Sequence, residues 1–391
     1  MSSRPRLRSG WQSKATCTAG CWAADDAGAD SFMMLRAYTK LPGRRHGNWQ
    51  LPLVGIAILL TSGHASRAAE ATSSRRLMGI EWLVTVHAES EAEAATAGEA
   101  ALDRVAAIEQ VLSDYDRQSE VSQLMVQTAA APGRPFPVSP DLADTLRRSL
   151  QFSRLTHGAF DVTVGPLTGL WRQARKTGRL PNPEKLAAAR AVTGSGAVEL
   201  HAGDAGPTVA LANAETRLDF GGIGMGYAID AAMALLASRG IDSAMIDASG
   251  DIAVSGPPPG RDSWRIAVPP LMRTGTAAAA SGKTPTLALV HAAVATSGDA
   301  YQAVLIDGVR YSHIVDPRTG LGVIGPTAVT VIAADATTAD ALSTATSVLG
   351  PSEGLAVIES IDGAAARFSW VDNDRLRVEA SPRWDAFLEQ P

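Results

Sequence analysis

Asp340 and Thr344 place a carboxylate and a hydroxyl four residues apart near the C-terminal end of the chain. The surrounding pattern predicts a helix that begins near Thr337 or Thr338, either of which can act as N-cap, and ends at Gly350. Residues four apart lie on one helix face. The pair therefore offers oxygen ligands of the kind that Mg²⁺ prefers while leaving room for phosphate oxygens. The competing interpretation is a polar helix face exposed to solvent.

His313 lies in the segment 311–320, which reads as the end of a strand followed by a turn at Pro317 and Gly320. Proline cannot continue a strand ladder, and glycine permits a positive φ. Asp316 and Arg318 follow the histidine within five residues. Such a cluster can supply a base and a phosphate-facing cation, although a single strand histidine is also compatible with a structural role.

A glycine-rich turn at residues 221–226 separates a predicted strand at 217–220 from a predicted helix at 225–238. Backbone N–H groups in such a turn can approach a phosphate at the positive end of the helix. The spacing matches neither the dinucleotide fingerprint nor the P-loop. A sharp turn without a ligand is the alternative. Asp219 precedes the turn at the predicted strand end, where it can contact a ligand or satisfy the turn amides.

Ser297 carries a hydroxyl next to a carboxylate in a Ser-Gly-Asp turn, which hairpin chemistry explains equally well. Neither Gly-x-Ser-x-Gly nor His-Glu-x-x-His occurs in the chain. The sequence therefore gives no support to a nucleophile-elbow hydrolase or a zinc protease.

The predicted elements that must position these residues follow from periodicity and turn residues. We predict helices at 89–112, after Ser119, and at 141–156, and a polar helical insertion at 172–200. We predict a strand at the end of the segment 76–87, a hairpin of 243–247 with 252–254, an exposed loop at 269–285, and strands at 287–295, 304–307 and 329–333. No composition break follows residue 76, so we predict one domain over 76–380.

Composition excludes several classes of protein. The 391 residues are 46% hydrophobic, which is enough for a large core and excludes wholesale disorder. The net charge of −5 gives no reason to expect nucleic acid as a partner. Cys17 and Cys21 precede the predicted domain without a second Cys or His pair, so a zinc site is not indicated.

The N-terminal region reads as an extension at 1–32 without clear periodicity, followed by a signal peptide at 33–70. Basic residues at 36–45 precede an apolar run at 51–60 and small residues near Ala68. The apolar run is short for a transmembrane helix. We therefore predict a periplasmic protein, or one at the outer face of the inner membrane. An uncleaved anchor, with membrane association through the N-terminus, is the alternative.

The order of the motifs along the chain is more specific than any one of them. They are Met78-Gly79, residues 112–120, residues 158–171, residues 218–230, Ser249-Gly-Asp-Ile252, Thr296-Ser-Gly-Asp299, residues 313–320 and residues 339–344. Together they resemble the FAD:protein FMN transferase family (ApbE-type flavin transferases). The resemblance covers about residues 76 to 375, and the last two motifs are its most specific.

The resemblance implies an α+β fold: a single two-lobed, T-fold-related domain with mixed or antiparallel sheets flanked by helices. It also implies a Mg²⁺-dependent enzyme that transfers FMN from FAD, through a phosphoester bond, to a threonine or serine of an envelope redox protein and releases AMP. Two alternatives stay open. One is an FAD diphosphatase, and the other is a non-catalytic periplasmic flavin-binding protein.

The resemblance also assigns roles to residues. It implies that Asp340, Thr344 and the carbonyl of Gly222 bind Mg²⁺. It implies that His313 helps to deprotonate the acceptor hydroxyl. The implied FAD-binding positions are Met78, Tyr115, Ala159, Phe160, Asp161, Asp219, Met225, Ser297, His313 and Ile314.

The chain departs from the family pattern in several places. Met225 stands where the helix after the turn usually opens with a charged residue, often lysine. Ser249 replaces the first glycine of a Gly-Gly-Asp pattern, and an inserted Ala300 displaces Tyr301 from Ser-Gly-Asp. The acceptor motif Asp-Gly-x-Thr/Ser-Gly-Ala-Thr/Ser is absent, which indicates the modifying enzyme rather than its substrate.

Overall fold

The computed structural model describes residues 69–268, 271, 284–298, 303–325, 327–372 and 375–390. The predicted N-terminal extension, nearly all of the predicted signal peptide, both cysteines and most of the predicted 269–285 loop lie outside these residues. The helices of the described chain are α1 (Glu91–Leu112), α2 (Glu120–Ala130), α3 (Pro140–Leu155), α4 (Gly165–Thr177), α5 (Pro183–Ala191), α6 (Gly224–Ser238) and α7 (Ala336–Glu359).

The strands carry the numbers used below. They are β1 (Ala69–Leu77), β2 (Ile80–Ala88), β3 (Phe136–Pro137), β4 (Val198–His201), β5 (Thr208–Leu211), β6 (Ser243–Ala248), β7 (Asp251–Val254), β8 (Trp264–Ala267), β9 (Thr286–Leu289), β10 (Ala292–Gly298), β11 (Ala303–Ile306), β12 (Val309–Val315), β13 (Gly322–Ile324), β14 (Thr327–Ala333), β15 (Ala365–Asp372) and β16 (Arg375–Ala380). β1 begins ahead of residue 76, where the sequence predicted the domain to start.

An eight-stranded sheet in the order β1-β2-β6-β7-β10-β14-β15-β16 forms the centre of the domain, and its pairings are antiparallel. Successive side chains of a strand point to opposite faces. On β10, Ala293 and Ala295 accordingly belong to the main core, whereas Val294 belongs to a second core on the other face. The predicted α+β class, with antiparallel sheets flanked by helices, is confirmed.

Three helices cover the main face of the sheet. α1 packs on β1 and β2, α6 on β6 and β7, and α7 on β10 and β14, with α6 between the other two helices. α1 begins at its N-cap Ser90, whose Oγ accepts a hydrogen bond from the N–H of Glu93 at 3.2 Å. α1 lies so close to β1 that a Cβ built on Gly98 would be 2.8 Å from Oγ of Ser73. The inward residues in this part of α1 are therefore small.

A smaller lobe joins α4 and α5 to a three-stranded sheet of β11, β12 and β13. Its core contains Leu167, Trp171, Ile306 and Val315. α4 begins inside the predicted 158–171 motif, earlier than the polar insertion expected from residue 172. This lobe carries the strand of His313. None of the helices in the described ranges is long and apolar enough to cross a membrane.

The predicted strand at 217–220 is wrong. Arg217 forms an isolated bridge to Val164, and residues 218–220 form no strand. The backbone bonds of this segment go to other loops, as in the bond from the N–H of Asp219 to the carbonyl of Val162 at 2.8 Å. The segment is therefore an irregular entry into α6.

Two other boundaries differ from the prediction. The run 287–295 contains the separate strands β9 and β10, because His291 adopts a positive φ of 48° between them. The N-cap of α7 is Asp335 rather than Thr337 or Thr338, since its carboxylate accepts the N–H of Thr338 at 2.9 Å. α7 kinks at Gly350, where the prediction ended it, and continues to Glu359.

Candidate active site

The first turns of α7 are buried on nearly all sides. Asp340 is 3% exposed, and its neighbours Ala339, Ala341 and Leu342 are fully buried. The reason is that α7 packs against β10 and β14 of the main sheet and also against α6 beside it. A solvent-exposed polar face is therefore excluded for Asp340, and its carboxylate needs partners inside the protein.

Asp340 meets the start of α6, where its Oδ2 accepts a hydrogen bond from the N–H of Gly226 at 3.0 Å. Asp251, at the start of β7, is also buried, and its Oδ1 accepts the N–H of Thr296 at 3.2 Å. Burial, and then the charge of Asp251, raises the pKa of Asp340 well above its ordinary value. Burial raises the pKa of Asp251 to about 7, and repulsion from Asp247 adds to the effect.

Thr344 lies one turn further along α7 and faces the glycine-rich turn. A Cβ built on Gly222 would lie 2.9 Å from Oγ1 of Thr344, so a side chain at position 222 would fill this space. The hydroxyl of Ser297 is 2.7 Å from Oγ of Ser343 and 3.3 Å from Oγ1 of Thr344. Hydroxyl, carboxylate and backbone groups from α7, β10 and the turn before α6 therefore converge.

This donor set fits a hard divalent cation. The predicted ligands Asp340, Thr344 and Gly222 offer oxygen atoms, and Mg²⁺ is bound through few protein oxygens. In the described ranges, no three His, Cys, Asp or Glu side chains cluster as a metal site. A cation here would therefore depend on the hydroxyl and carbonyl oxygens as well as on the carboxylate.

Asp219 organises the turn that carries Gly222. Its Oδ1 accepts the N–H of Gly221 at 2.9 Å, which is the local bond of an Asx turn. Its Oδ2 accepts the hydroxyl of Thr168 at 2.7 Å and the guanidinium of Arg172 at 2.9 Å. The two interpretations of Asp219 from sequence are thus compatible, because it satisfies a turn amide next to the predicted metal ligands.

Met78, in the turn between β1 and β2, and Tyr115, in the loop after α1, both lie near the C-terminal end of α1. Met78 has a positive φ of 50°, and its N–H donates to Oε1 of Glu109 at 2.8 Å. Its Cε would lie 3.8 Å from a Cβ built on Gly224, at the start of α6. Tyr115 is 78% exposed, and the guanidinium of Arg172 lies over its ring. Met225 is half-buried on the first turn of α6.

Ala159, Phe160 and Asp161 form a buried segment between α3 and α4. Oδ1 of Asp161 accepts the N–H and the hydroxyl of Thr163 at 2.8 and 2.6 Å, and Oδ2 accepts the N–H of Ser195 at 2.7 Å. The carboxylate of Asp161 is therefore engaged within the protein. The N–H groups of Ala159 and Phe160 also bond within the protein, to the carbonyl and the hydroxyl of Thr156 at 3.0 and 3.1 Å. A contact of this segment with FAD stays a prediction.

His313 is half-buried on β12, and Ile314 beside it is buried. β12 packs against both α4 and α7, so the strand of His313 neighbours the helix of Asp340. Arg318 pairs with Asp316 through Nε and Nη2, at 3.0 and 3.2 Å. The predicted phosphate-facing cation is therefore already balanced by a carboxylate.

The turn after β12 is fixed from the smaller lobe. The indole N–H of Trp171 donates to the carbonyl of Gly320 at 2.8 Å, and Arg190 donates to the carbonyl of Arg318 at 2.8 Å. A Cβ on Gly158 would lie 3.9 Å from Cγ of Arg318. The segments around residues 158–161 and 313–320 are therefore adjacent.

Sequence reasoning missed two contributors. Asp251 appeared in a motif but received no role, because only the fold buries it near Asp340. Arg172 was placed in a polar insertion, although its side chain reaches Asp219. The neighbouring residues Asp114 and Tyr115 gave the one available signal, since a carboxylate and an aromatic ring both attract arginine.

The family model of the ApbE family matches residues 78–368. An FAD:protein FMN transferase of Vibrio cholerae is 32% identical over 323 residues, which cover 80% of this chain and 91% of the relative. An FAD:protein FMN transferase of Treponema pallidum is 31% identical over 346 residues, which cover 84% and 93%.

Solved structures give the same result for the fold. The apo form of the flavinyl transferase ApbE of Pseudomonas stutzeri aligns with a TM-score of 0.71 at 29% identity, over 82% of this chain and 97% of that one. The flavin transferase ApbE of Vibrio cholerae aligns with a TM-score of 0.69 at 29% identity, over 82% and 100%. The match of the family model and the extent of these alignments together show that this chain belongs to the ApbE family.

Proposed function

We infer that this chain is an FAD:protein FMN transferase, which moves FMN from FAD to a target protein. The observation that carries the inference is the burial of Asp340 beside Gly226, with Thr344 against the backbone of Gly222, in a chain that matches the family over residues 78–368. Its relatives of similar length are named for this activity.

The transfer requires one bond to form and one to break. The hydroxyl oxygen of a threonine or serine of the acceptor bonds to the phosphorus on the FMN side of the pyrophosphate. The bond from that phosphorus to the bridging oxygen breaks, and AMP leaves with the electron pair. The hydroxyl proton passes to His313, which lies half-buried on β12 and acts as the base.

We propose that Asp340, Thr344 and the carbonyl of Gly222 hold Mg²⁺. A bound cation there would neutralise charge on the pyrophosphate. The residues of the chain position the reactants: Asp219 orders the turn of Gly222, and Ser297 and Ser343 support the hydroxyl of Thr344. Burial excludes water from Asp340 and so strengthens its attraction for a cation.

We also propose that the acceptor is an envelope redox protein and that the enzyme is exported. The support is the signal-like sequence at 33–70, which contains the basic residues and apolar run of a secretory signal. FAD and the acceptor hydroxyl are the two substrates of this proposal.

The test incubates the full chain with FAD and Mg²⁺, with and without a recombinant acceptor domain that carries Asp-Gly-x-Thr-Gly-Ala-Thr. Flavin fluorescence of the acceptor band after denaturing electrophoresis measures transfer, and chromatography measures AMP. An acceptor domain with alanine in place of both threonines of this motif is the control. We expect AMP release and a fluorescent band only with the intact acceptor.

Two results would contradict the proposal. AMP and FMN formed equally without acceptor would indicate an FAD diphosphatase. FAD that is bound and stays intact with the acceptor present would indicate a non-catalytic flavin-binding protein.

A further inference from the structure

Arg172, on α4, connects two segments that are far apart in sequence. Its Nη1 donates to Oδ2 of Asp114 at 2.7 Å, and its Nη2 donates to Oδ2 of Asp219 at 2.9 Å. Its central carbon lies 4.7 Å from the ring centroid of Tyr115. One side chain thus holds together the loop after α1 and the turn before α6.

The orientation of the Tyr115 ring depends on this contact. The residue is 78% exposed, so little packing constrains the ring. Of the ring contacts within the described residues, the one to Arg172 is the only contact that Tyr115 makes. A cation over one face of an aromatic ring fixes it and leaves the other face open for a flat ligand ring.

The same guanidinium fixes the carboxylate of Asp219. Oδ1 of Asp219 accepts the N–H of Gly221, so the orientation of this carboxylate sets the turn. The next residue, Gly222, is the one whose backbone faces Thr344. Arg172 therefore acts on the turn through Asp219, without itself reaching the predicted metal ligands by any bond of the described chain.

Charge gives a further reason for the arginine. Burial, and then the charge of Asp219, raises the pKa of Asp114 despite the opposing effect of Arg172. Burial alone would lower the pKa of Arg172, but Asp219 and then Asp114 reverse this effect and raise it. Without Arg172, two poorly solvated carboxylates would face the region that must accept anionic FAD.

We propose that Arg172 is a positioning residue for FAD: it holds the ring of Tyr115 and the carboxylate of Asp219 in the arrangement that binds the dinucleotide. The inference rests on the proposed function, because Tyr115 and Asp219 are FAD-binding positions only by that proposal. Arg172 itself touches neither FAD nor the reacting atoms in this assignment.

The test measures FAD affinity of the full-length protein by titration calorimetry in EDTA, so that metal binding and turnover do not contribute. The variants are Arg172→Gln, Arg172→Lys, Tyr115→Ala and the double variant Tyr115→Ala/Arg172→Gln. Lys176→Gln is the matched control, because Lys176 is an exposed cation on the same helix. Thermal denaturation of each variant without FAD reports folding.

We expect Arg172→Gln to raise the Kd of FAD roughly tenfold, the size of effect that follows from the loss of a ring-orienting cation and a neutralising charge. Arg172→Lys retains the charge without the planar fork and should give a smaller increase. In the Tyr115→Ala background, Arg172→Gln should change the Kd by less than about threefold, because one of the two groups it positions is gone. Lys176→Gln should leave the Kd unchanged.

A purely structural role would give a different result. Arg172→Gln would then lower the melting temperature while the folded protein keeps the Kd of the wild type. Alternatively, it would weaken the binding of FAD by the same factor with Tyr115 present and in the Tyr115→Ala variant. Either outcome overturns the inference. If Arg172→Gln does not fold, Arg172→Lys decides, since an unchanged Kd in that variant also overturns it. Wild-type protein that transfers no FMN when Mg²⁺, FAD and the acceptor are all supplied contradicts the proposed function, whereas a wild-type Kd of FAD in folded Arg172→Gln overturns this inference alone.

Discussion

Asp340 and Asp251 bring two carboxylates into a buried region where neither forms a salt bridge with a described cationic side chain. A buried charge that lacks an opposite charge is costly, and the usual responses are protonation or the binding of a cation. The raised pKa of Asp340 is the first response. The oxygen atoms of Thr344 and Gly222 nearby allow the second. A proton and a metal ion therefore compete for the carboxylate of Asp340.

Asp340→Asn should abolish FMN transfer and the stabilisation by Mg²⁺. The amide can still accept the N–H of Gly226, and burying it costs less than burying a charge, so the metal-free variant should be at least as stable as wild type. Wild type at a hundred times its Kd for Mg²⁺ should gain about 2.7 kcal/mol. Thermal denaturation with and without Mg²⁺, together with AMP release, measures both effects.

The control is Asp362→Asn, which removes a carboxylate from an exposed turn. It should keep both the transfer rate and the Mg²⁺-dependent shift. Transfer at the wild-type rate by Asp340→Asn would remove Asp340 from the metal site.

At the scale of elements, the site depends on the close approach of α6 and α7. A Cβ built on Gly226 would lie 2.3 Å from the carbonyl oxygen of Ala336 and 2.8 Å from Cα of Thr337. No side chain fits there without a shift of one helix. The same approach allows the N–H of Gly226 to reach Asp340.

Gly226→Ala should therefore destabilise the protein by about 3 kcal/mol or more and lower transfer, since overpacking against backbone cannot be relieved by a rotamer change. Gly169→Ala is the matched control, because Gly169 lies within α4 with open space around its position. It should change stability by less than about 1 kcal/mol, in the stabilising direction. Urea denaturation of both variants measures the difference, and equal stabilities would contradict the packing argument.

Asp230, on α6, caps the start of α7 by accepting the N–H groups of Ala336 and Thr337 at 2.8 and 2.9 Å. Burial raises the pKa of Asp230 to about 6. The hydrogen bonds from Thr337 oppose this increase, and the charge of Asp335 adds to it. Arg148 on α3 also faces it, at 3.7 Å.

A folded-state pKa above the unfolded value of about 3.9 means that the native state holds the proton more tightly. The contribution to stability is then complete below pH 4 and is lost as the pH rises through about 6. Asp230→Asn does not titrate, so its stability relative to wild type should rise by on the order of 2 kcal/mol between about pH 4 and about pH 7 and stay level at higher pH. Urea denaturation across this range measures the difference, and a difference that is constant with pH would exclude the titration of Asp230.

At the scale of the whole molecule, an antiparallel sheet gathers the site from distant parts of the chain. β7, β10 and β14 are adjacent in the sheet, so Asp251, Ser297 and the loop before α7 meet although they are far apart in sequence. The smaller lobe adds β12 with His313, and α4 with Arg172. The result is one site built from both lobes.

Export is the prediction that concerns the entire protein. A full-length chain expressed in a Gram-negative host should fractionate with the periplasm or the inner membrane. A variant that lacks residues 51–60 should remain in the cytoplasm, because the apolar run of the signal is gone. Immunoblots of the cell fractions measure the distribution. Equal distribution of the two proteins would contradict the signal assignment.

The sequence by itself determined most helices and the spacing of the motifs, because these depend on local periodicity and on caps such as Ser90 and Ser119. It also indicated the family, since the order of the motifs along the chain can be read without any tertiary contact. It misplaced the strand at 217–220, because hydrophobic alternation there competes with bonds to a distant loop.

Only the tertiary structure decided that Asp340 is buried, that Asp251 lies close enough to raise its pKa, and that Arg172 reaches both Asp114 and Asp219. Burial and charge pairing depend on distances between segments that are remote along the chain, and helical spacing gives no information about them. The four-residue spacing of Asp340 and Thr344 would be the same whether their helix were exposed or buried. The packing of α7 against both the sheet and α6 made this pair a candidate metal site.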